Sequence, residues 1–119
     1  MKALSIHPEY AAEILDGVKK EEYRTWTTKH RGDLLICATA KKKRGCISGH
    51  AVCVVSLAGV KKLADDTYAW QLENVRWIKP FPVKGQLSLY TVADDLIHVV
   101  KRQEQTAEFW KTYYVPLQS

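Results

Sequence analysis

Lys19, Glu22, Arg24 and Trp26 stand within one short stretch, Gly17-Val18-Lys19-Lys20-Glu21-Glu22-Tyr23-Arg24-Thr25-Trp26. An ammonium, a carboxylate, a guanidinium and an indole brought together can do two kinds of work. Lys19 can act as nucleophile or base if its amine loses a proton, which takes desolvation or neighbouring cations such as Lys20 and Arg24, and Glu22 can act as a general base in a dry pocket. Arg24 can instead grip a phosphate through its fork and Trp26 can offer a face to a base, with Glu22 only holding the cations in an ion pair. A solvated edge strand with a core tryptophan accounts for the same residues without a ligand.

The elements around this stretch decide what the charges can meet. As a strand from Lys20, it puts Glu22, Arg24 and Trp26 on one face and Glu21, Tyr23 and Thr25 on the other, with Lys19 at the bend before it. Upstream, Ala3 to Ile6 is a short apolar strand ended by His7-Pro8. Pro8 suits a first helical turn, Ala11, Ile14, Leu15 and Val18 form one apolar stripe, and Gly17 stops the helix.

Downstream, Thr27 to Asp33 is a polar loop, Asp33 to Ala40 a strand buried on both faces, Lys41 to Gly49 a basic loop, and His50 to Leu57 a second inner strand. Gly59 to Thr67 is a polar connection. Tyr68 to Ile78 alternates but changes phase, which a bulge near Glu73-Asn74 reconciles, and Pro80-Phe81-Pro82 breaks it. Leu87 to Val92 reads as a last strand. Asp94 and Asp95 open a helical pattern with Leu96, Val99 and Val100, and Phe109, Trp110, Tyr113 and Tyr114 follow in a second apolar group. These rings are expected to pack on the sheet or to mediate association, as in a protein interaction module that recruits a partner through its tail.

The expected architecture is α+β: a small, mostly antiparallel barrel of about six strands with an early helix and one or two C-terminal helices. The 119 residues fit a barrel domain over 1–92 and a helical extension over 93–119 packed on the same domain. Eighteen basic against 13 acidic residues give a net charge of +5. The excess is local, in Lys41-Lys42-Lys43-Arg44 and in Lys29 and Arg31, so these are the residues expected to track a nucleic-acid backbone. The 3 cysteines lack Cys-x-x-Cys spacing and the 4 histidines are scattered, so no disulfide framework, metal site or cofactor is expected. A divalent cation enters only with a nuclease reading. Without a signal peptide or a long apolar run the chain reads as cytoplasmic, off the membrane, and a monomer or weak homodimer through its aromatic tail.

Gly17 to Arg24 also matches the G-x-K-x-x-E-x-R pattern of the activating signal cointegrator homology (ASCH) domain, whose fold is similar to the PUA barrel of RNA-modifying proteins. Leu4-Ser5-Ile6-His7-Pro8, Arg31-Gly32-Asp33-Leu34-Leu35-Ile36, Trp70-Gln71-Leu72-Glu73-Asn74-Val75 and Pro82-Val83-Lys84-Gly85 resemble that family too. The resemblance spans residues 2 to about 92. It implies a cleft between the first helix and the barrel that binds RNA or a nucleotide, with Ser5, Lys20, Arg24, Trp26 and Trp70 contacting the ligand. Some members are amidohydrolases on acetylated cytidine and others ribonucleases, in which case Lys19 and Glu22 are the catalytic pair. The amidohydrolase-type members carry a threonine where this chain has Glu22.

Overall fold

The computed structural model describes residues 1–119. It contains β1 (Lys2–Ile6), α1 (Pro8–Leu15), β2 (Glu21–Arg24), β3 (Gly32–Ala38), β4 (His50–Lys62), β5 (Tyr68–Pro82) and β6 (Tyr90–Thr91). The strands form one sheet in the order β2-β5-β4-β3-β1-β6. Only β1 and β3 run parallel; every other neighbouring pair is antiparallel. The end strands β2 and β6 do not pair with each other, so the barrel-like sheet is left open between them.

Period-two alternation builds a core on each face of this sheet. Leu4, Ile6, Leu34, Ile36, Leu57 and Trp70 pack with Ala11, Ile14 and Leu15 of α1 and with Tyr114. Their sequence neighbours Ala3, Leu35 and Cys37 pack on the other side with Val54, Ile78, Tyr90 and Val92. The apolar run of β3 is therefore buried on both faces, as expected of it.

Pairing overrides local propensity in several places. β4 continues through Gly59 to Lys62 because it pairs with β5 as far as Lys62↔Tyr68, so the expected connection shrinks to a turn in which Leu63 N–H donates to the Thr67 carbonyl at 2.8 Å. The bulge near Asn74 is present: Asn74 has φ +55° and the β4–β5 register shifts between Val54 and Ser56. The strand does not break at Pro80, because the register also shifts between Ala51 and Cys53 and Pro80 falls where β5 has no partner to bond on β4. The expected strand from Leu87 shortens to Tyr90–Thr91, which pair with Ala3 and Lys2. Only a single 3₁₀ turn, Asp94–Leu96, forms at Asp94; residues 98–100 then run beside β5, with Val99 bridging to Ile78.

The tail winds as a short α-helix α2 (Ala107–Phe109), a π-helical turn (Trp110–Tyr114) and a 3₁₀ turn (Val115–Leu117). Its rings close around Trp77, at 6.1 Å from Phe109, 5.2 Å from Trp110 and 5.7 Å from Tyr114. Tyr114 is fully buried at the point where β4 and β5 lose register. Its hydroxyl accepts the Ile78 N–H at 3.1 Å and shares its proton between the carbonyls of Val52 at 2.8 Å and Ile78 at 3.0 Å, so a side chain supplies bonds the slipped ladder lacks. No helix is long and apolar enough to cross a membrane. Tyr114→Phe strands buried backbone groups and is expected to lower the free energy of unfolding by about 2 kcal/mol with an unchanged denaturant slope, as urea titration would measure.

Candidate functional site

The end of α1 sets the geometry of the charged stretch. Gly17 adopts φ +79°, a conformation that glycine takes without steric cost, and the N–H groups of Val18 and Lys19 both return to the Glu13 carbonyl at 2.9 and 3.0 Å. The chain thus reverses in one turn and enters β2 with Lys19 at the corner. β2 is an edge strand held only by β5, with Glu22 opposite Trp70 and Arg24 opposite Tyr68.

Glu22 is 5% exposed and sits between two cations. Its Oε1 lies 3.5 Å from Lys19 Nζ, and its Oε2 accepts from Arg24 Nη1 at 3.0 Å. Lys19 also lies under two rings, with Nζ 5.3 Å from the Tyr10 centroid and 5.2 Å from that of Tyr23. Arg24 lies over Trp26 at 5.7 Å, and Trp26 meets Trp70 edge-on at 4.9 Å. A carboxylate and aromatic faces are the surroundings that hold cations in place.

Two cavities open here and share His7 and Arg24. One, about 390 Å³, is bounded by Ile6, Tyr10, Lys19, Glu22 and Tyr23 as well. The other, about 440 Å³, lies over the ends of the parallel strands β1 and β3, between Ser5, Thr39 and Ala40 and the loop Lys84-Gly85-Gln86-Leu87. Thr39 Oγ1 is the one buried side-chain nitrogen or oxygen without a hydrogen-bond partner. Together the two form a cleft with a cationic waist at Arg24.

The family model for the ASCH domain matches residues 4–116. The chain belongs to the ASCH domain family. That match runs past Val92 and takes in the tail through Tyr114. Among curated proteins it is similar to activating signal cointegrator 1 of Homo sapiens, 51% identical over 39 residues that make up 33% of this chain and 7% of the relative. The Mus musculus protein of the same name is 46% identical over 39 residues, again 33% of this chain and 7% of that protein. Among solved structures, the ASCH protein from Zymomonas mobilis superposes with a TM-score of 0.62 at 15% identity, over 79% of this chain and 88% of that one, a likeness of fold.

Within this ASCH domain, Lys19, Glu22 and Arg24 come together as the sequence pattern implied, and Ser5 lines the larger lobe. Trp70, expected to contact ligand, has no exposed surface: its parity on β5 faces the core under α1, and its indole N–H donates to the Trp26 carbonyl at 3.2 Å. Lys20 also lies outside the cleft. Its carbonyl accepts from Leu72 and its side chain borders a separate groove with Glu73 and Asn74. Trp26 is half-buried against the core, with Arg24 on its face.

Lys29 and Lys41 to Arg44 are exposed and form no ion pair; Arg31 folds back on its own loop, donating to the Thr28 and His30 carbonyls at 2.9 and 2.8 Å. The basic run leaves the cleft rim directly after Ala40. Sequence reasoning missed His7, Tyr10, Tyr23, Thr39, Lys84, Gln86 and Leu87. The signal for Lys84 was present in the Pro82-Val83-Lys84-Gly85 segment. No group of three or more His, Cys, Asp or Glu side chains is placed to hold a metal ion.

Under the floor, Ser5 Oγ meets the Tyr90 hydroxyl at 2.8 Å and accepts the Gln86 N–H at 3.3 Å. Burial pushes the nearby Cys37 thiol up from 9.0 to about 11, against a smaller opposing pull from the Tyr90 hydroxyl. Burial also raises Cys53, Tyr90 and Tyr114. The folded chain holds these protons more tightly than the unfolded chain, so their stabilising effect is complete below the ordinary thiol value and is lost as pH rises. Urea unfolding is expected to show no contribution from these groups to pH dependence up to about pH 8 and a fall in stability that sets in there and continues through about pH 11, less steep in Cys37→Ala. Removing the carboxylate between two part-buried cations in Glu22→Ala is expected to cost about 2–3 kcal/mol, and Glu22→Gln about half as much, in the same measurement at neutral pH.

Proposed function

We propose that this ASCH domain binds RNA or a nucleotide in the cleft, with the phosphate on Arg24 and Lys84 beside His7. The observation that carries this reading is Arg24, which borders both lobes while donating only Nη1 to Glu22. An arginine has five N–H donors, so the rest of its fork is free for an anion, and the Glu22 pair and the Trp26 ring hold it in plane. The Lys41 to Arg44 run extends the positive surface from the same rim.

A hydrolase acting on an acylated nucleoside or on RNA would use Lys19 and Glu22. The geometry favours binding over that alternative, because Lys19 and Glu22 engage each other and Glu22 also engages Arg24. The interaction-module reading is weaker still: the tail's rings close largely on Trp77 and on one another.

Fluorescence anisotropy with short labelled single-stranded RNA tests the binding reading. Arg24→Ala is expected to weaken affinity about tenfold or more and to reduce the slope of log affinity against log salt by about 0.7. Undiminished affinity in that variant, or no binding by the parent chain at low salt, contradicts the proposal. Loss of acetylcytidine or RNA on incubation with the pure protein would favour the hydrolase.

A further inference from the structure

A base entering this cleft needs an apolar face to lie on, and the aromatic rings around it are already engaged. Trp26 has the Arg24 guanidinium over its ring and Trp70 at its edge. Tyr10 and Tyr23 both turn toward the Lys19 ammonium. The hydrophobic lining left in the larger lobe is Ala40 and Leu87.

Leu87 is 95% exposed, more than any other large hydrophobic residue of the chain. A lone exposed leucine needs no explanation in general. This one stands on the same loop as Lys84, in the wall of a cationic cleft, and the loop is pinned on both sides of it. Val83 N–H donates to the Gly49 carbonyl at 3.0 Å, Gln86 N–H to Ser5 Oγ at 3.3 Å, and Tyr90 pairs with Ala3. Gly85 lies flush on Ser5, where an added Cβ would come 3.0 Å from the hydroxyl oxygen. The side chain is therefore presented at the mouth by a fixed support.

We propose that Leu87 is a base-packing residue: with the phosphate on Arg24 and Lys84, the nucleotide's base lies on Leu87 and takes it out of water. This rests on the cleft being the ligand site. It also narrows the ligand class to single-stranded RNA or a free nucleotide, since a base inside a duplex has both faces stacked on its neighbours and none to offer.

Anisotropy with a labelled oligouridylate and with an abasic oligomer of equal length separates base packing from phosphate binding. Leu87→Ser is expected to weaken the oligouridylate about five- to tenfold and the abasic oligomer by less than about twofold, with an unchanged salt slope and melting temperature, while Leu87→Met keeps the parent affinity. Equal losses for both oligomers, or an unchanged oligouridylate affinity alongside a loss in Arg24→Ala, overturn the role of Leu87 and leave the binding reading standing. A parent chain that binds neither oligomer overturns both.

Discussion

A carboxylate taken almost fully out of water needs partners for both its oxygens, and Glu22 is that carboxylate here. Among the buried residues Glu22 is the only acidic or basic one. Lys19 and Arg24 are both tied to it, so one residue fixes the corner after α1, the orientation of the edge strand β2 and the waist of the cleft. Taking one partner away from a buried pair costs more than forming the pair gains, which makes this arrangement all-or-none. Arg24 keeps donors to spare, whereas Lys19 is enclosed by Glu22, Tyr10 and Tyr23. The proposal of binding rather than nucleophilic chemistry rests on that asymmetry.

The support for this edge reaches it through β5. β2 depends on β5, and β5 depends on a β4 pairing that slips out of register where the sheet bends. Bending leaves backbone groups without partners, and the Tyr114 hydroxyl meets three of them at Val52 and Ile78. The aromatic tail is thus part of what holds the curvature, and its rings use most of their surface against Trp77 and one another. The curvature in turn brings the ends of β1 and β3, the loop after β5 and the edge of β2 around one cleft.

Contacts close in sequence were legible without coordinates. The Gly17 turn, the shared face of Glu22 and Arg24, the two-sided burial of β3 and the bulge near Asn74 all follow from spacing and residue type. What could not be read needed knowledge of which strands meet. Gly59 looks like a loop residue until its partner Gln71 is known, and Pro80 looks like a terminator until the ladder is seen to skip it. Trp70 and Trp26 differ in burial because of what covers each face, α1 and the core in one case and Arg24 in the other. Lys84 and Leu87 reach Arg24 from about sixty residues along the chain, through the Ser5 hydroxyl and a strand that pairs for only two residues. Side-chain alternation carries no trace of that closure.

In the proposed binding mode, Glu22 holds Arg24 in place so that its remaining donors, together with Lys84, can receive a phosphate, while Lys19 stays paired to Glu22. A crystal structure of the chain with uridine 5′-monophosphate is the decisive measurement. The phosphate is expected within hydrogen-bonding distance of Arg24 and Lys84, with Glu22 still bridging Lys19 and Arg24. A phosphate seated outside the cleft, or a Lys19 released from Glu22 and turned onto the nucleotide, would contradict it.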